Sequence, residues 1–315
     1  MRIGLAGAGT MARVHAAAYR RMGAELVAVY APNRAASASL AEAFDLEPFE
    51  DYRRFLDAVD LVDVVAPTYV HEPLAREALQ AGKDVILEKP MALDAASGRR
   101  ILEAARSHRR RLFVAMVLRF FPQYRRAAEL VRAGAVGRLG VVRLKRVSFP
   151  PRIDWYRDPR RSGGAIVDLM IHDLDYARWL LGDPVRVFAR RVAVGEGEHV
   201  QALLRFPGGA LAWIEGGWAY PEGHFRTGFD LAGDAGVLEW RSDDPPPVRT
   251  VFSDRAPPPE VGLPMAGLEE DPYELELRHA LSAMATGAPF EVAPEDALAA
   301  LELALAVRAS AEGVA

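Results

Sequence analysis

The chain has 315 residues and 34.5 kDa, is half hydrophobic and about a quarter charged, and has a mean hydropathy near zero. This globular composition, long enough for about two domains at roughly 100–200 residues each, excludes fibrous and disordered classes. A net charge of -4 and a pI near 6.0 leave no positive excess for nucleic acid or an anionic membrane, and zero cysteines exclude disulfides, thiolate nucleophiles and Fe–S clusters.

The predicted elements alternate from the first residues. Short apolar runs at Ile3–Ala6, Leu26–Tyr30, Leu61–Ala66, Val85–Leu87 and Leu112–Val117 are separated by helical patterns at Met11–Met22, Ala35–Phe44, Pro73–Ala81 and Ala95–Ser107. Unpatterned apolar strands alternating with helices predict a doubly wound parallel sheet covered on both faces, a dinucleotide-type Rossmann domain over 1–118. The period then changes. A helix over 122–134, an alternating strand at Leu139–Phe149 and a helix over Gly163–Leu181 are followed by strands at Val185–Val194, Val200–Phe206, Leu211–Gly217, Phe225–Ala232 and Val237–Trp240. Strands in series predict an α+β domain over 119–315 with a mostly antiparallel open sheet. Ser242–Pro272, with two proline triplets, reads as an extended loop, and two helices over about 273–286 and 294–312 close the chain. No apolar stretch approaches the roughly 18 residues that span a bilayer, and none resembles a signal peptide, so a cytoplasmic protein with no membrane partner is expected.

The first strand runs into Gly7-Ala8-Gly9-Thr10-Met11-Ala12. Gly7 permits a tight turn, Gly9 lets the backbone approach a pyrophosphate, and Ala12 allows close packing of helix on strand; the anion would lie on the N–H groups of Thr10 and Met11 at the helix start. An ordinary tight turn accounts for such glycines equally well in isolation, but a strand before and a helix and second strand after favour a nucleotide. The second strand ends in Tyr30-Ala31-Pro32-Asn33-Arg34, with no carboxylate to bond a ribose 2′-OH. Ala31, Asn33 and Arg34 are therefore assigned to the cofactor, with NADP favoured over NAD because Arg34 can pair with a 2′-phosphate. The competing role is a helix capped by Asn33 with Arg34 in solvent.

Lysine occurs only at Lys83, Lys89 and Lys145. Lys89 closes the strand Val85–Leu87 within Glu88-Lys89-Pro90, and ligands bind beyond the carboxyl ends of strands in open α/β sheets. A lysine there can hold a substrate oxygen or carry its proton; a surface ion pair is the other use. Further on, Asp168, His172 and Asp175 stand at i, i+4 and i+7, which on one helix gives a polar row along an apolar face. Such a row suits catalysis. It also suits a capped core histidine, or a metal site for which no third ligand is evident, and no metal is expected.

Together these segments resemble the Gfo/Idh/MocA family of NAD(P)-dependent oxidoreductases over nearly the whole chain. Leu61-Val62-Asp63-Val64-Val65-Ala66-Pro67-Thr68-Tyr69-Val70-His71 is similar to the family's strand and Thr-Pro-Asn-x-x-His turn, with Ala66 for the Thr and Thr68 for the Asn; Glu88-Lys89-Pro90 matches its Glu-Lys-Pro, and Arg119-Phe120 with Pro122 and Gly134-Ala135-Val136-Gly137 match the entry to its second domain. Gly163-Gly164 through Asp168, His172 and Asp175 is similar to its Gly-Gly-x-x-x-Asp-x-x-x-His-x-x-Asp motif. The resemblance implies that Pro67, Thr68, His71, Glu88, Lys89 and Arg119 contact the cofactor, and that Lys89, Arg119, Trp155, Asp168 and His172 contact a small-molecule substrate. It further implies a cis Lys89–Pro90 bond, His172 as acid/base with Lys89 as its partner, Asp168 binding or orienting, Asp175 in support, and a homodimer or homotetramer formed through the open sheet. The expected reaction moves a hydride between NADP or NAD and a hydroxyl or keto group of a sugar, polyol or related compound. A glycosidase using NAD for transient oxidation and a nucleotide-sensing regulator are the alternatives.

Overall fold

The computed structural model describes residues 1–243 and 270–313; most of the loop expected at Ser242–Pro272 lies outside them. It divides into two compact units.

The first unit comprises Met1–Phe121, Pro159–Ser162 and, of the described residues, 270–302. Its strands β1 (Ile3–Ala6), β2 (Leu26–Tyr30), β3 (Glu47–Phe49), β4 (Leu61–Val64), β5 (Asp84–Glu88) and β6 (Leu112–Ala115) form a six-stranded sheet in the order β3-β2-β1-β4-β5-β6. Every pairing is parallel. Helices α1 (Thr10–Met22), α2 (Arg34–Phe44), α3 (Tyr52–Ala58), α4 (His71–Gln80) and α5 (Ala95–Ser107) connect them. All residues of β1, β4 and β6 are buried, as unpatterned strands between two helical layers require. Asn33, Asp51 and Asp94 cap α2, α3 and α5 by accepting backbone N–H groups. The sequence pattern misses β3 and α3: β3 has three residues, carries Pro48 and lies at the sheet edge, so it leaves no apolar run.

The second unit contains α6 (Pro122–Arg132), β7 (Leu139–Val147), α7 (Asp154–Arg157), α9 (Gly164–Asp168), α10 (Ile171–Leu181), β8 (Arg186–Val194), β9 (Gly197–Arg205), β10 (Leu211–Gly217), β11 (Arg226–Gly233) and β12 (Val237–Arg241); the short helix α8 (Pro159–Ser162) belongs to the first unit. The sheet order is β12-β11-β7-β10-β9-β8, with β7 and β10 parallel and the other pairs antiparallel. One face is covered. On the other, Phe188, Leu203 and Trp213 stand in register across β8, β9 and β10 and are each exposed.

Where the sequence places a boundary at 118/119, the first unit also takes in α11 (Pro272–Thr286) and the start of α12 (Pro294–Ala311). There α11 buries Leu277, Ala280 and Ala283, Arg21 pairs with Asp271 and Glu274, and Arg111 donates to the carbonyls of Ala283 and Ala288. The helix expected over Gly163–Leu181 is two, α9 and α10. At their junction Met170 N–H bonds the Ala165 carbonyl, five residues back, at 2.9 Å, which interrupts the regular four-residue ladder. Asp168 ends α9 while His172 and Asp175 lie on α10, so the three do not form a row on one continuous helix.

Candidate active site

In the first unit, the turn after β1 combines a closed position with an open one. Gly7 has φ +133° and donates its N–H to the Tyr30 carbonyl at 2.8 Å; a Cβ there would lie 2.6 Å from the Val65 backbone. Gly9 precedes α1, and a Cβ built on it would meet nothing within 4 Å among the described residues. Gly9 offers α1 no side-chain cap and no acid occupies the first turn, so the helix-start amides of Thr10 and Met11 suit an anion. These residues fit a dinucleotide pyrophosphate.

At the end of β2, Ala31 is buried, the Asn33 side chain accepts the Ala36 N–H at 3.2 Å, and Arg34 lies 3.3 Å from Glu50 with both side chains largely exposed. Asn33 thus serves α2. The turn after β4 places Pro67 before a 3₁₀ turn over Thr68–Val70, with Thr68 buried. His71 is buried, its Nδ1 2.9 Å from the Pro90 carbonyl and its Nε2 2.8 Å from the Ala66 carbonyl. It joins the turn after β4 to the turn after β5, and burial lowers its pKa against the pull of those carbonyls.

Lys89 follows β5, partly exposed, and its bond to Pro90 is cis. Its N–H donates to Glu88 Oε2 at 2.9 Å. Burial opposes ionisation of Glu88, but His15, Lys89 and His71 outweigh it and hold the carboxyl below its ordinary 4.5. Arg119, expected to touch cofactor and substrate, is 2 % exposed and directs its guanidinium to the Glu291 carbonyl at 3.2 Å and to Asp296 at 3.3 Å. It ties the chain beyond β6 to the first turn of α12.

In the second unit, Asp168, His172 and Asp175 are all buried. Gly163 carries φ +85° before α9, and Glu198 on β9 accepts the Ala165 N–H at 2.7 Å, fixing the start of that helix. Trp155 stacks on Tyr156 with centroids 3.8 Å apart, and Tyr156 meets Trp218 edge-on. Beneath α10, Asp173 receives two bonds from Arg146 of β7, at 2.7 and 3.2 Å, with both side chains at most 1 % exposed. Burial raises the Asp173 carboxyl, Arg146 pulls it down, and the carboxylate keeps Arg146 protonated. Sequence reasoning missed Arg146 and Glu198. For Arg146 a signal existed, since it continues the inward series Val142 and Leu144 of an alternating strand; for Glu198 there was none, because a cap from another strand leaves no local pattern. Among the described residues, no group of three or more His, Asp or Glu side chains is arranged to hold a metal ion, and no helix is long and apolar enough to cross a membrane.

Comparison with known proteins places these features. Residues 1–116 match the profile of an oxidoreductase family with an NAD-binding Rossmann fold, and residues 124–239 match the GFO/IDH/MocA C-terminal domain. An inositol 2-dehydrogenase of Rhizobium meliloti (strain 1021) is 30% identical, covering 99% of this chain and 97% of its own length. Among solved structures, a putative myo-inositol dehydrogenase from Sinorhizobium meliloti 1021 superposes with a TM-score of 0.86 at 28% identity, over 99% of this chain and 98% of the other. GenD2 from gentamicin A biosynthesis, in complex with NAD, gives 0.89 at 26% identity, over 99% and 94%. With both halves matched and the similarity running end to end, the chain belongs to the GFO/IDH/MocA family of NAD-binding oxidoreductases.

Proposed function

We propose that the protein moves a hydride between a nicotinamide dinucleotide and a secondary hydroxyl or keto group of a sugar or polyol, with Lys89 and His172 handling the proton. The observation that carries this reading is the placement of Lys89, one of three lysines, at the carboxyl end of β5 in the sheet whose β1 turn leaves Gly9 open. Nicotinamide, when bound, supplies the hydride acceptor or donor. The alcohol proton then needs a base, and an imidazole titrating near neutral pH suits the role. His172 takes it, Lys89 holds the oxygen and completes the proton path, and Asp168 orients the substrate with Trp155 as a flat wall. Five inositol dehydrogenases among the relatives make myo-inositol the first compound to try.

Lys89→Ala and His172→Ala are expected to lower turnover by about 10²–10⁴-fold while NADH binding, read by fluorescence, persists. Near-native turnover in either variant refutes the assignment. For the cofactor, the absence of a carboxylate at the end of β2 supports NADP, with Arg34 turning from Glu50 to a 2′-phosphate; initial rates that favour NAD would reject it. The exposed stripe Phe188, Leu203 and Trp213 supports pairing of the open sheet with a second copy. Trp213→Arg should then shift the protein to monomer in light scattering, and a native protein that is already monomeric would count against the pairing.

A further inference from the structure

Four ionisable side chains of the first unit meet where water is excluded: His15 on α1, Asp63 on β4, Glu88 ending β5 and Glu276 on α11. Asp63 Oδ2 receives two donors, His15 Nδ1 at 2.7 Å and the Tyr19 hydroxyl at 2.8 Å. The other ring nitrogen, Nε2, is 3.2 Å from Glu88 Oε1, an ion-pair contact and not a directed hydrogen bond. Tyr273 of α11 flanks the imidazole with ring centroids 6.3 Å apart. Among the described residues, neither carboxyl oxygen of Glu276 has a hydrogen-bond partner.

We propose that Asp63, His15 and Glu88 form a positioning chain behind Lys89, in which a His15 imidazolium held by a carboxylate at each nitrogen fixes Glu88, and Glu88 fixes the Lys89 turn. The proposal rests on the reading of Lys89 as a proton-handling residue. A neutral imidazole carries one N–H, whereas here a carboxyl stands 2.7 Å from one nitrogen and another 3.2 Å from the other, and the cation is the form attracted to both. Burial disfavours that charge, and Asp63 and Glu88 outweigh burial, raising His15 well above 6.5. Glu276 takes the opposite course. Burial, with Glu88 and Asp63 nearby, raises it well above 4.5. Glu88, held below 4.5, is then the carboxylate of the cluster that holds the Lys89 backbone N–H. Apolar side chains would pack this volume at lower cost, so such a constellation is better explained by the turn it supports than by stability.

The composition allows a direct test on the protein without substrate or cofactor. Trinitrobenzenesulfonate attacks the neutral amine, and with three lysines the labelling of Lys89 is measured by peptide mass spectrometry against Lys83 and Lys145 as internal standards. Glu88→Gln removes a negative neighbour and should speed Lys89 labelling about threefold, whereas His15→Gln removes the cation and should slow it about threefold. Simple loosening of the turn would speed both variants, and that result, or no change in either, overturns the proposal. Nitrogen-15 spectra of the native protein give a reading that requires no variant to fold. The His15 imidazole, assigned through bonds to its own backbone resonances, should be protonated at both nitrogens at pH 7, and a neutral ring there also overturns the proposal. The catalytic reading fails separately, on the turnover of Lys89→Ala, which neither measurement uses.

Discussion

Each unit buries a charged site, and the two are built on opposite terms. In the second, Arg146 and Asp173 match one cation to one carboxylate through two bonds at 2.7 and 3.2 Å. In the first, two carboxyls, Asp63 and Glu88, flank one imidazole, and a third, Glu276, is buried with no hydrogen-bond partner at either oxygen among the described residues. A matched pair fixes geometry and is indifferent to pH near neutrality; an acid-rich cluster has to store protons and responds to pH. The glycine turn repeats the contrast on a smaller scale, since Gly7 is closed against Val65 and Gly9 stands open. Filled positions hold the fold, and those left unmatched are where chemistry or a ligand is expected.

The comparison is broken most severely by Asp173→Ala. It strands a buried guanidinium and should cost about 3–5 kcal/mol in urea unfolding, while Arg146→Met with Asp173→Leu should cost far less. A double variant as damaged as the single would show that the pair does more than match charge. Next, Gly7→Ala should destabilise by about 1–3 kcal/mol, because its left-handed backbone and the Val65 contact both resist a Cβ. Gly9→Ala should cost under about 1 kcal/mol and weaken NADH binding at least about tenfold, since only the ligand's space is filled; fluorescence titration checks it.

A pH prediction follows from the acid-rich cluster. Glu276 has a folded pKa well above 4.5, so its contribution to stability is complete below pH 4.5 and is lost as pH rises toward the folded value. His15, raised above 6.5, acts in the same sense at higher pH, while Glu88, lowered from 4.5, contributes above that value and loses its part as pH falls. Glu276→Gln should therefore raise the melting temperature more at pH 8 than at pH 5. An equal gain at both would mean that Glu276 holds no extra proton. The smallest effect belongs to Arg34→Ala, which should leave stability within about 0.5 kcal/mol, its ion pair with Glu50 being exposed, and should alter only the ratio of NADP to NAD rates.

The two regions were also unequally legible. Strands β1, β4 and β6 are visible as apolar runs because both faces are buried, and β7 as an alternation because one face is covered. The three-residue β3 was invisible, and the break between α9 and α10 escaped notice because Leu169 and Met170 are good helix formers and the interruption is a tertiary choice, with Met170 packed against Gly216.

For the candidate site, the residues themselves determined the backbone: a turn that only glycine at position 7 permits, an open Gly9, a lone lysine after a strand, and the acids and histidine of 168–175. Such features are local, fixed by steric rules and by the periods of helix and strand. The tertiary structure decided the partners. His15 meets Asp63 across 48 residues, Arg146 meets Asp173 across 27, and Arg119 reaches Asp296 across 177. Charge pairing at that separation depends on which strands neighbour each other and which helix covers them, and no short window of sequence carries that information.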